Sequence, residues 1–171
     1  MQTITFSEKG GLQIIASANS AATDFDFLVG DWKIRNRKLA TRLNGCTEWV
    51  EFMAYGTMKK LLLGNANTDS FNTEINGEPF EGMTLRLFDP VTRLWSIYWA
   101  DSQRGKLDPP VVGSFDGDMG YFYTLDKFGD KDIIMVFCWD ARVKDAPVWS
   151  QAFSEDKGAT WEWNWYMYMT R

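Results

Sequence analysis

Phe80-Glu81-Gly82-Met83-Thr84-Leu85-Arg86-Leu87-Phe88-Asp89-Pro90-Val91-Thr92-Arg93-Leu94-Trp95-Ser96-Ile97-Tyr98-Trp99-Ala100-Asp101 holds two runs rich in aromatic and apolar residues, Phe80–Phe88 and Leu94–Asp101, joined at Asp89-Pro90. Such runs, bounded by a turn signal, read as two strands of a hairpin. Toward the N-terminus lie three similar runs: Trp32–Leu43 ending at Asn44-Gly45, Thr47–Lys59, and Gly64–Ile75 followed by Asn76-Gly77. Toward the C-terminus follow Val111–Phe115, Met119–Asp126, Ile133–Asp140 after Gly129-Asp130, Val148–Phe153 and Trp161–Thr170. No ten-residue helical pattern separates them, and the linkers are too short for parallel crossovers. The chain is therefore expected to be all-β, a single antiparallel up-and-down barrel of about ten strands, because closure removes the unpaired edges of so long a meander. A barrel of this size has an interior that is either filled by side chains or holds one small ligand. Residues 24–171 are expected to form the barrel, and residues 1–23, weakly patterned, an N-terminal arm or short helix outside it.

Absences narrow the chemistry. The 171 residues include no histidine, so there is no Ser-His-Asp triad, no Cys-His pair and no imidazole for haem, zinc or non-haem iron. No metal site and no cofactor is expected. Cys46 and Cys138 are too few and too far apart for a disulfide framework or zinc cluster, and read as reduced, partly buried thiols. Gly113, Gly117 and Gly120 have no nucleotide-loop spacing and read as punctuation around the Asp116-Gly117-Asp118 turn. The net charge of -5 argues against nucleic-acid or anionic-membrane partners. The basic group Lys33, Arg35, Arg37, Lys38 and Arg42 is followed closely by Glu48 and Glu51, which fits cross-strand charge pairing on an outer face. The N-terminal stretch has no secretory pattern, no run approaches the length of a membrane span, and a reducing cytoplasm is the expected compartment.

The opening of the first strand, Phe25-Asp26-Phe27-Leu28-Val29-Gly30-Asp31-Trp32, resembles the start of lipocalin-type barrels, with its Gly-x-Trp after a short apolar turn. With Leu85-Arg86-Leu87-Phe88-Asp89-Pro90 and the closing Trp165-to-Arg171 strand, it resembles an uncharacterised bacterial lipocalin-like family over about residues 24–171. The resemblance implies a calycin-type barrel in which Trp32 plugs one end and stacks on Arg171. It implies no activity. Ser154-Glu155-Asp156-Lys157-Gly158-Ala159-Thr160-Trp161 is similar to the Asp-box of sialidase propellers. One copy without a blade repeat reads as a structural turn.

Candidate site residues are polar groups among inward apolar ones, with aromatics able to stack on a ligand. Arg86 is either a solvated outer residue or a lumen anchor for a carboxylate or phosphate. Asn67 and Asp69 share a face of the third strand; Trp99 and Asp101 share the end of the fifth; Gln151 sits in an aromatic row with Trp149 and Phe153. Alternation places Trp161, Trp163, Trp165, Met167 and Met169 on one face of the last strand, and Trp163 and Trp165 are the stacking candidates there. Residues 103–110 read as a lid over the mouth or a plain surface loop. Lys33, Arg35 and Arg37 are followed on their row by Leu39, which suggests a face-switching bulge in the first strand. The expected function is non-enzymatic binding of a small apolar or amphipathic molecule in the lumen. The alternatives are a ligand-free structural or interaction module, for which apolar outer faces suggest a homodimer, and an enzyme using carboxylate, Tyr or Arg chemistry.

Overall fold

A computed structural model describes residues 4–171; residues 1–3, the start of the expected arm, lie outside it. Within the rest of that segment β1 (Thr5–Phe6) pairs with β2 (Leu12–Gln13) as a small hairpin, and turns follow up to residue 25. Ten strands follow: β3 (Gly30–Leu39), β4 (Trp49–Leu61), β5 (Ala66–Ile75), β6 (Glu78–Asp89), β7 (Leu94–Asp101), β8 (Val111–Asp116), β9 (Met119–Phe128), β10 (Lys131–Asp140), β11 (Val148–Ser154) and β12 (Glu162–Thr170). Each pairs antiparallel with its neighbours, and β12 pairs with β3 to close the barrel. No helix among the described residues is long and apolar enough to cross a membrane.

Alternation sets the two faces. Trp32 and Ile34 of β3, Ala54 and Met58 of β4, Trp95 and Ile97 of β7, and Phe122 of β9 are buried in one cluster inside the barrel. Outside, Tyr123, Ile134, Val136 and Ala152 form a second cluster, covered by Ile4, Phe6, Leu12 and Ile14 of the arm. The arm thus covers the apolar backs of β9–β11. Beyond β12, Arg35 and Arg37 reach Glu51 across the β3–β4 ladder at 3.5 and 4.0 Å.

The bulge lies in the last strand and not the first. Pairing of β3 with β4 runs unbroken from Gly30–Met58 to Leu39–Trp49. In β12, Gln151 faces Trp165 but Ala152 faces Trp163, so Asn164 is the extra residue. The two sides of Asn164 therefore present opposite faces. Trp165, Met167 and Met169 stay with the interior cluster, whereas Trp161 and Trp163 join the outer one under the arm. The single tryptophan row expected from alternation is broken in two.

One end of the barrel is plugged. A 3-10 turn at Asp26–Leu28 drives Phe25 inside, edge-on to Trp95 and Phe115 at 5.0 Å each. The Trp32 indole donates to the Leu28 carbonyl at 2.7 Å. The Arg171 guanidinium lies 3.8 Å from the Trp32 ring centroid and donates to the carbonyls of Val29 and Phe27. Gly30 has φ +108, and a Cβ there would meet Arg171 Nη1 at 2.7 Å, so the Gly-x-Trp pattern has a steric cause.

The 154–161 turn closes on itself. Asp156 accepts from the Thr160 hydroxyl at 2.6 Å and amide at 2.8 Å, and from Ser154 Oγ at 2.8 Å. The Trp161 indole donates to the Gly158 carbonyl. The Thr160 hydroxyl, then its amide, then Ser154 hold the Asp156 carboxyl down at about 2. A depressed carboxyl contributes stability above its unfolded value near 3.9 and loses it as pH falls toward 2. The Asp156 carboxyl is expected to titrate near pH 2 by NMR, and Asp156→Asn to flatten the thermal-stability curve between about pH 4 and pH 2.

Candidate functional site

A cavity of about 250 Å³ occupies the lumen above the plug. Its walls are mostly apolar: Trp32 and Ile34 of β3, Met58 of β4, Phe71 of β5, Ile97 and Trp99 of β7, Met135, Phe137 and Trp139 of β10, Trp149 of β11, and Trp165, Met167 and Met169 of β12. Seven polar side chains, Asp69, Ser70, Thr84, Arg86, Asp108, Asp126 and Gln151, share that lining.

Arg86 is the centre of the polar group. It is 3% exposed, and its position on β6 points it inward along with Gly82, Thr84 and Phe88. Its Nη1 donates to Asn67 Oδ1 at 2.9 Å and meets Asp69 Oδ2 at 2.5 Å. The guanidinium also lies over the rings of Phe25 (4.9 Å) and Trp139 (5.6 Å). Its Nε has no hydrogen-bond partner. A buried guanidinium is sustained by a paired carboxylate and aromatic faces. The pair is charge-neutral, and its Asp69 side, 19% exposed in its side chain, opens onto the cavity.

A second polar tier lies on the β3–β11–β12 wall. The Trp165 indole donates to Asn36 Oδ1 at 3.0 Å, and Gln151 Nε2 donates to Asn164 Oδ1 at 2.9 Å. The bulge is what turns Asn164 toward Gln151. Asn164 Nδ2 is buried without a partner.

The wall is incomplete between β7 and β8. Their pairing covers only Trp95–Ile97 against Val111–Gly113. Residues 102–110 cross the gap, bringing Asp108 and Pro109 to the cavity. Arg104 fastens this segment by gripping Asp101 at 2.8 Å and Asp108 at 2.7 Å, while the Asp108 amide donates to the Trp99 carbonyl. The Trp99 indole donates to Asp101, and its ring lies against Gly82, where a Cβ would sit 2.1 Å away.

Five of the eight candidates thus meet at one cavity: Asp69, Arg86, Trp99, Gln151 and Trp165. Asn67 stands behind, holding Arg86, and Asp101 holds Trp99 and Arg104. Trp163 is not in the lumen or at its mouth, because the bulge turns it beneath the arm. Trp32 and Arg171 pair at the plugged end. Sequence reasoning passed over Asn36 and Thr84. Both lie on rows it could have followed, Trp32–Ile34–Asn36 and Thr84–Arg86. It also passed over Phe25, whose position depends on a turn with no periodic signal.

No protein-family model matches the chain, and no curated protein does. Among solved structures it is similar to the one titled "Crystal Structure of Rv2717c from M. tuberculosis", at 12% identity and a TM-score of 0.55, covering 91% of this chain and 98% of that one. At that identity the likeness is one of fold: the same kind of barrel.

Proposed function

We propose that this chain is a lipocalin-like, non-enzymatic binding protein. It holds one small amphipathic molecule, with the apolar body between the tryptophan and methionine walls and a polar group at Asp69 and Arg86. The observation that carries the reading is a cavity of about 250 Å³ with a mostly apolar lining and the neutral Asp69–Arg86 pair exposed to it. Pockets with many apolar walls and few placed polar groups are the usual form of small-molecule sites, and this one is just below the usual range of about 300–1,000 Å³. A neutral pair suits a group that both donates and accepts, such as a hydroxyl. The enzymatic alternative has less support, because Asp69 is engaged by Arg86 and Asp108 by Arg104, while Asp126, the third carboxylate of the lining, is exposed to solvent and accepts from the Lys127 amide.

Titration calorimetry with 4-ethylphenol and ethylbenzene tests this. Saturable one-to-one binding is expected, at least about tenfold tighter for the phenol, since one hydrogen bond to a charged group contributes about 1.5–3 kcal/mol. Thr84→Trp, which fills the lumen beside Arg86, is expected to abolish both. No saturable binding, or binding undiminished by Thr84→Trp, overturns the proposal. Arg104→Ala frees the 102–110 segment and is expected to raise association and dissociation rates together by about tenfold with little change in affinity, as gating does; stopped-flow tryptophan fluorescence measures both.

A further inference from the structure

We infer that Lys38 is a carbonyl-capture site, at which the ε-amine forms a reversible imine with an aromatic aldehyde seated beside Trp165. This rests on the binding function just proposed and adds a chemical class of ligand to it.

Of the lysines in the described chain, Lys38 alone is not exposed. It continues the inward row Trp32–Ile34–Asn36 of β3, at the end of the strand away from the plug. In the ladders it stands directly opposite Trp165, and its Nζ lies 4.3 Å from that ring's centroid. Trp165 lines the cavity and Lys38 does not, so the amine is separated from the ligand space by no more than that indole. Lys60, Lys127, Lys131 and Lys144 each have a carboxylate partner. Lys38 has none among the described residues, and its charged neighbour is the cation Arg42. Burial first, and Arg42 second, lower its amine to about 8. Roughly half is then free base at pH 8, where an ordinary lysine near 10.4 is free in fewer than about one molecule in a hundred. An amine desolvated beside another cation is the usual setting of a nucleophilic lysine.

The chemistry balances without a further reactant. The Nζ lone pair attacks the carbonyl carbon, and a proton passes from nitrogen to oxygen to give a carbinolamine. Loss of one water forms the C=N bond as the C–O bond breaks. Hydrolysis reverses the sequence. The aromatic part of the aldehyde rests against Trp165, and the electrophile meets a held amine in place of a freely diffusing one, an advantage of orientation.

The test is reductive trapping of the full chain with 4-methoxybenzaldehyde and sodium cyanoborohydride, read by intact mass and peptide mapping. One adduct is expected, on Lys38, formed at least about tenfold faster than on any other lysine. It is expected to disappear in Lys38→Arg, to persist in Lys59→Arg, and to be slowed by 4-ethylphenol. Labelling spread evenly over surface lysines, or unchanged in Lys38→Arg, overturns the inference. Circular dichroism of Lys38→Arg checks that its barrel is intact. Binding of 4-ethylphenol without labelling of Lys38 defeats this inference alone; labelling of Lys38 without any 4-ethylphenol binding defeats the lumen reading and leaves a reactive rim amine.

Discussion

Replacing Arg86 by alanine is expected to lower the free energy of unfolding by about 3–5 kcal/mol, the usual cost of removing one partner from a buried ion pair. The loss has three named parts. Asp69 is left facing the lumen without its cation, Asn67 Oδ1 without its donor, and Phe25 and Trp139 without the guanidinium that lies over their rings. Urea denaturation measures it as a drop in midpoint with little change in slope. The double replacement Arg86→Met with Asp69→Leu is expected to recover most of the stability, because a neutral apolar pair of similar volume leaves no charge unmatched. It is not expected to recover selectivity for 4-ethylphenol over ethylbenzene. That separation distinguishes a pair kept for recognition from one kept for the fold. Arg86→Ala stability within about 1 kcal/mol of the parent would show that water reaches Asp69 freely and that the pair is not an interior one.

Phe25→Ala is the second large effect, expected at about 3–5 kcal/mol, as for other fully buried aromatic-to-alanine changes. Phe25 is 1% exposed and touches Trp95, Phe115, Phe122 and Trp139 as well as the Arg86 guanidinium. Its loss empties the middle of the plug. For a chain of this length the thermal midpoint is expected to fall by roughly 10 °C. Because Phe25 is the ring beneath Arg86, its effect and that of Arg86→Ala should fall short of additive in a double-mutant cycle. Full additivity would mean that plug and lumen are energetically separate.

The two predictions meet at a contact that illustrates what could be read in advance. Arg86 was identifiable as an inward candidate because it stands among apolar residues in a strand. Its choice between solvent and lumen was open, because a period of two gives two faces without saying which is inside. The partners Asn67 and Asp69 lie on the next strand, and their pairing with Arg86 depends on the β5–β6 register. Phe25 sits in a turn, where the period carries no information. Trp163 was misplaced for a different reason. One extra residue, Asn164, reverses the face of everything N-terminal to it in β12, and no composition signal accompanies the insertion.

The sequence by itself determined the local features: ten strand-like runs with short punctuated links, hence an antiparallel barrel. These follow from propensity, turn chemistry and side-chain size, which act between neighbours in the chain. Tertiary structure alone decided that the arm covers the backs of β9–β11, that Arg86 is neutralised inside, that residues 102–110 bridge the β7–β8 gap, and that Lys38 turns inward beside Trp165. Those depend on strand register, closure and a single bulge, which fix distances between residues far apart in sequence and have no local signature.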